Sequence, residues 1–202
     1  SPSLLSLINT FSDQYQNVNH VMYDSVPYDG ILDANLESFG QRVVPDYHFN
    51  KADVIVSFGA DFIGNWLSQD YSNDYIAGRN PKSGKMSRHF QIETNMSLTG
   101  ANADKRIQIK PSEQAYLISN LFKALNGSTK IDERIKGVYE NLKNSKSSIV
   151  VTDSQSKDVQ LLVNAINYQL GNYKTTIDIK NPCFLKKGNS NDLNTLIEDM
   201  KN

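Results

Sequence analysis

The stretch Ala52-Asp53-Val54-Ile55-Val56-Ser57-Phe58-Gly59-Ala60-Asp61-Phe62-Ile63-Gly64-Asn65-Trp66 decides the fold. A short apolar run rich in β-branched residues reads as a strand buried on both faces, the hallmark of a parallel sheet. It breaks into Gly59-Ala60-Asp61, where such a strand would deliver its loop, and open α/β sheets bind ligands at strand ends of this kind.

Working outward, the same grammar repeats. Leu4, Leu5, Ile8 and Phe11 recur at helical spacing behind Ser1 and Pro2, which suit a helix start. A short strand is predicted over Val18 to Tyr23, a turn over Pro27 to Gly30, and a helix from Ile31 to Phe39 stopped by Gly40. Residues Gly64 to Ser87 lose periodicity and read as a long excursion with one helical turn. Strands follow at His89 to Glu93 and Arg106 to Ile109. Pro111-Ser112-Glu113 then opens a helix with the face Tyr116, Leu117, Leu121, Phe122 and Leu125, closed by Gly127. Lys130 to Asn144 reads as a charged surface helix, Ile149 to Thr152 as a buried strand, and Val159 to Leu170 as a helix ending at Gly171. A strand over Thr175 to Ile179 and a helix over Asp192 to Met200 complete the series. Repeated alternation of strand and helix predicts an α/β domain spanning residues 1–202, with a mostly parallel, Rossmann-like sheet and helices on both faces.

Composition narrows the function classes. In 202 residues, 22 acidic side chains stand against 21 basic ones, so no global field draws the chain to nucleic acid or to anionic lipid. Neither partner is expected. The single cysteine, Cys183, leaves no internal disulfide and no cysteine-ligated zinc or iron–sulfur site built from these residues alone. No apolar run reaches transmembrane length, so direct membrane insertion is not expected. The start at Ser1-Pro2-Ser3 and the stop at Met200-Lys201-Asn202, inside a helical pattern, suggest a fragment of a longer multidomain chain.

The chemistry-bearing residues are sparse. Gly78-Arg79-Asn80-Pro81-Lys82-Ser83-Gly84-Lys85-Met86 superficially resembles a phosphate loop. It has five residues between its glycines rather than four, Met86 in place of the metal-binding hydroxyl, and no strand directly before it. With Arg88 and His89 it forms a local basic cluster, read as a solvated loop or as a contact for an acidic partner surface or an anionic group. His20, His48 and His89 have no metal-ligand spacing and join no nucleophile arrangement, and the early Asp residues fit turns and helix starts. No catalytic or metal-binding residue is expected. The ten tyrosines, with Trp66 in the irregular excursion, also suit a protein interface.

Three segments carry a family resemblance: Ala52 to Trp66; Gly84-Lys85-Met86-Ser87-Arg88-His89-Phe90-Gln91-Ile92-Glu93-Thr94-Asn95-Met96; and Leu98-Thr99-Gly100-Ala101-Asn102-Ala103-Asp104 followed by Lys110-Pro111-Ser112. In this order they resemble the molybdopterin oxidoreductase family, in particular its degenerate branch in the large iron–sulfur (B) subunit of bacterial alternative complex III. The resemblance implies a domain that in active members holds the guanine-dinucleotide tail of a molybdenum cofactor. A family-type Gly-Ser-Asn-Pro is similar to Gly59-Ala60-Asp61-Phe62, Ile-Asp-Pro-Arg to Ile92-Glu93-Thr94-Asn95, and Pro-Gly-Thr-Asp to Pro111-Ser112-Glu113-Gln114. Each change removes a donor, a positive charge or an acid. Since a charge-assisted hydrogen bond is worth about 1.5–3 kcal/mol, the degenerate positions Gly59, Asp61, Glu93, Asn95 and Gln114 are expected to hold no cofactor.

The resemblance thus implies a non-catalytic scaffold domain of an iron–sulfur electron-transfer subunit in a membrane quinol-oxidising respiratory complex. Its iron–sulfur clusters would sit on another domain. Its partners would be other domains of its own chain and other subunits of the complex, at the periplasmic face of the bacterial inner membrane. It would belong to an oxidoreductase yet be inactive alone. A second reading keeps the cofactor-nucleotide-binding role of an active molybdenum oxidoreductase, and a third takes the domain to bind a free nucleotide.

Overall fold

The computed structural model describes residues 2–15, 17–84, 86–183 and 186–201. Contacts within the chain divide it into two units: the terminal segments up to Asp29 and from Lys187, and the central span Gly30–Lys186.

The terminal unit carries α1 (Pro2–Gln14) and α8 (Ser190–Asp199). Asn189 caps α8 through its side chain, which accepts the Asn191 amide at 3.1 Å. Ser190 is tied to the Asp29 carboxylate by both its hydroxyl and its amide. The strand predicted over Val18 to Tyr23 does not form, and these residues run as irregular backbone. A strand needs a ladder of partners. Here Met22 accepts one backbone bond, from Asn189 at 3.0 Å, and Tyr23 is exposed.

The central unit is built on four parallel strands in the order β4-β3-β2-β5: β2 (Val54–Phe58), β3 (Arg88–Glu93), β4 (Lys105–Gln108) and β5 (Ser148–Thr152). The fold is α/β, with a Rossmann-like parallel sheet flanked by helices. Pleating sends Val54, Val56, Phe58, Phe90, Ile92, Ile107 and Val150 to one face. There they pack against α5 (Gln114–Leu125), α6 (Lys136–Asn144) and α7 (Lys157–Gln169) in the main apolar core. The opposite face carries Ser57, His89, Gln91 and Glu93, all buried, and lies beside α3 (Asp70–Ala77) and the single turn α4 (Leu98–Ala101).

Three expectations shift. The excursion from Gly64 to Ser87 contains the two-turn helix α3, because Tyr71 and Tyr75 anchor it in an aromatic cluster with Tyr47, Phe49, Phe62 and Trp66. The helix expected from Lys130 begins only at Lys136: Asp132 and Arg134 form a turn in which the guanidinium and amide of Arg134 both bind the Asp132 carboxylate. The late strand, β6 (Ile177–Cys183), does not join the parallel sheet but pairs antiparallel with β1 (Val44–Tyr47), which the periodicity misses. Helix α2 (Asp29–Phe39) ends at Gly40 (φ 72°), as its pattern predicts.

Candidate functional site

All four parallel strands end at one edge of the sheet, and their loops enclose a cleft of about 330 Å³. It is lined by Gly59 after β2, by Glu93, Thr94, Asn95 and Ser97 after β3, by Ile109 after β4, by Asp153 after β5, and by Pro111 and Gln114 at the start of α5. Four of the five positions singled out in the sequence, Gly59, Glu93, Asn95 and Gln114, meet here. The fifth, Asp61, is not among the cleft's lining residues.

Gly59 is required by its backbone. Its φ is +76°, and a Cβ at this position would stand 2.4 Å from Asp153 Oδ1. That close approach lets β2 hand its chain over directly beside β5. Gln114 closes the junction, donating its side-chain amide to the Phe58 carbonyl and to Asp153 Oδ1, each at 2.8 Å. Asp153 is solvent-accessible at the mouth, yet its carboxyl is crowded by this wall. Desolvation raises its pKa above the ordinary carboxylate value, the Gln114 amide works against that rise, and the charge of Glu93 adds to it.

Glu93 is buried and charged. Burial alone would raise its pKa, but hydrogen bonds to the ionised form win and hold it below the usual range. Its carboxylate accepts from Ser97 Oγ at 2.6 Å, from the Ser97 amide at 3.2 Å, from Arg106 Nε at 2.6 Å and from Gln91 Nε2 at 3.1 Å. Pleating explains the cluster, since Gln91 pairs with Arg106 and Glu93 with Gln108 across β3 and β4, on one face.

Asp61 serves the backbone instead. Its Oδ1 accepts from the Thr99 amide at 2.9 Å and the Thr99 hydroxyl at 2.6 Å, so it clips the β2 loop to the first turn of α4. Asp61 is thus engaged with the chain itself and does not line the cleft. Two members of the basic cluster are engaged within the chain. His89 is fully buried, with Nδ1 3.0 Å from the Tyr75 hydroxyl and Nε2 3.3 Å from Gln91, and burial lowers its pKa to about 4. Arg79 forms a two-pronged pair with Asp104 at 2.7 and 2.8 Å. Lys82 and Arg88 remain exposed, and Lys85, like Ser1, lies outside the described residues.

Sequence reasoning missed Asp153, Thr94, Ser97 and Arg106. Asp153 had a usable signal, since it follows a recognised strand as Gly59 follows β2. Arg106 had none, because its partner is set by register.

No protein-family model matches the sequence, and no curated protein matches it. Among solved structures, the chain is similar to one in the X-ray structure of the formyltransferase/hydrolase complex FhcABCD from Methylorubrum extorquens in complex with methylofuran, with a TM-score of 0.52 and 12% identity. The similarity covers 71% of this chain and 41% of that one, so the chain spans less than half of its neighbour. At this identity the likeness shows the fold alone.

These findings overturn the assignment to the molybdopterin oxidoreductase family and to the alternative complex III branch. No family model supports it, and the solved neighbour belongs to a formyltransferase/hydrolase complex. The physical reason is that glycine and acidic residues at strand ends are what any parallel α/β sheet requires. Gly59 serves a tight approach, Asp61 a loop clip and Glu93 a strand pair, so the quoted segments carry fold information rather than family information.

Proposed function

We propose that this chain is a non-catalytic α/β docking domain, working as one part of a multi-subunit assembly. One observation carries the reading: the carboxylates at the ends of the parallel strands are here paired within the chain. Glu93 is held by Arg106, Ser97 and Gln91, Asp153 by Gln114, and Asp61 by Thr99. A ligand that used Glu93 or Asp153 in the cleft would have to break their bonds, each worth about 0.5–3 kcal/mol, before forming its own. The cleft also presents carboxylates rather than cations, which disfavours phosphate. The solved neighbour is a subunit of a formyltransferase/hydrolase complex, which adds partner subunits to the reading.

The proposal keeps the expectation that these residues hold no cofactor. The respiratory setting, the iron–sulfur clusters elsewhere in the chain and the periplasmic placement rested on the withdrawn resemblance and form no part of it. Isothermal calorimetry with guanine and adenine nucleotides tests the reading. We expect no saturable heat at millimolar ligand, whereas micromolar binding lost in a Gln114→Ala variant would replace docking with nucleotide recognition.

A further inference from the structure

The two edges of the parallel sheet are treated in opposite ways. In a parallel ladder alternate residues aim their N–H and C=O to opposite sides, and the bond from the Asp153 amide to the Phe58 carbonyl leaves Ser148, Val150 and Thr152 facing outward on β5. Side chains meet them. Asn167 imitates a neighbouring strand, accepting from the Val150 amide at 3.1 Å and donating to its carbonyl at 2.8 Å. Thr176 donates to the Ser148 carbonyl at 2.5 Å and Gln160 to the Thr152 carbonyl at 3.3 Å.

On β4, the bond from the Ile109 amide to the Glu93 carbonyl at 3.0 Å fixes the phase, so Arg106 and Gln108 aim their backbone groups away from the sheet. Among the described residues these outward groups have no hydrogen-bond partner. The segment Lys105-Arg106-Ile107-Gln108-Ile109-Lys110 holds three basic residues and no acidic one, and Lys105, Gln108 and Lys110 are exposed.

We propose that the outer edge of β4 is a docking site for an extended, acidic segment of a partner protein, which adds a fifth strand beside Arg106 and Gln108. This rests on the docking role proposed above and names its surface. The backbone groups supply the pairing and Lys105 and Lys110 the sign of the charge. A second copy is the poorer occupant, because it would bring one basic edge against another.

The test uses a nine-residue peptide of alternating threonine and glutamate, its lysine counterpart, and a glutamate peptide N-methylated at alternate residues so that one edge cannot donate. Amide hydrogen exchange and 15N shifts are read on the whole chain. Expected are saturable slowing at the Arg106 and Gln108 amides at peptide concentrations up to about 1 mM, at least tenfold weaker binding of the lysine and N-methyl peptides, and tenfold weakening by Lys105→Glu. Gln108→Pro removes an outward donor at an edge position that tolerates proline and should abolish the slowing. If that variant loses its fold by circular dichroism, the N-methyl peptide answers the same question. No slowing at 1 mM, equal binding of the lysine peptide, protection elsewhere, or a wild-type dimer broken by Lys105→Glu overturns the proposal. Nucleotide calorimetry on the same samples separates the two readings: silent nucleotides without slowing overturn the edge alone, and nucleotide binding with slowing overturns the closed cleft alone.

Discussion

Gly100 sits inside α4, where alanine would ordinarily help by about 1 kcal/mol. The structure reverses that sign, because a Cβ there would stand 1.9 Å from Glu93 Oε1. The carboxylate cannot swing aside without releasing Ser97, Gln91 and Arg106. Gly100→Ala should therefore destabilise by about 1–3 kcal/mol, read from urea midpoints. His89 gives the second residue-scale prediction. Its folded pKa of about 4 lies below the 6.5 of an unfolded histidine, so between these values the unfolded chain binds a proton that the folded chain refuses. The stability this site contributes is complete above about pH 6.5 and falls by on the order of 3 kcal/mol as pH drops to about 4. His89→Gln should flatten that segment of the stability curve, and an unchanged slope would place the acid sensitivity elsewhere. Asp153 has the opposite sign: its raised pKa means that stability declines as pH rises through it.

At the scale of elements, the edge of β5 shows how a helix can finish a sheet. Asn167 on α7 takes both backbone groups of Val150, and its own carbonyl also accepts Asn172 Nδ2 at 2.7 Å. An edge closed in this manner offers little template for another strand, so the exposed-edge dimerisation that an open α/β fragment invites is blocked on this side. Asn167→Ala should cost about 2–4 kcal/mol, since it strands buried N–H and C=O groups. It should also produce concentration-dependent association in analytical ultracentrifugation, and a variant that stays monomeric would mean that the packing of α7, not the amide, protects the edge. Val54 to Phe58 and Ile149 to Thr152 were readable because burial on both faces demands runs of β-branched and aromatic residues, and His89 to Glu93 because Phe90 and Ile92 alternate with polar residues. The edge strand β4 was legible too, as Arg106 to Ile109, whereas short β1 and the tyrosine-anchored α3 were harder: their residues are polar or mixed, and what holds them is contact with segments distant in sequence.

At the scale of the whole molecule, the central span contains its own sheet and apolar core. A chain of residues 29–186 is accordingly expected to unfold in one cooperative transition, with hydrogen exchange in β2, β3 and β5 slowest. Loss of cooperativity would show that the terminal segments are needed for the fold. The likeness to a formyltransferase/hydrolase subunit at 12% identity agrees with this scale of description, for it reports a shared arrangement of strands and helices and nothing finer.

The amino-acid sequence by itself determined the α/β class, the order of most elements and the strand ends at which Gly59, Glu93 and Gln114 gather. Those follow from local chemistry: apolar runs, helical periodicity, and glycine where backbone must turn or approach closely. Only the tertiary structure decided what those residues do. Whether Asp61 faces a ligand or clips a loop, whether Glu93 is free or held by Arg106, and which sheet edge is capped all depend on strand register and on contacts between residues far apart in the chain. A sequence pattern names the residue types at a site, but their pairing is a property of geometry.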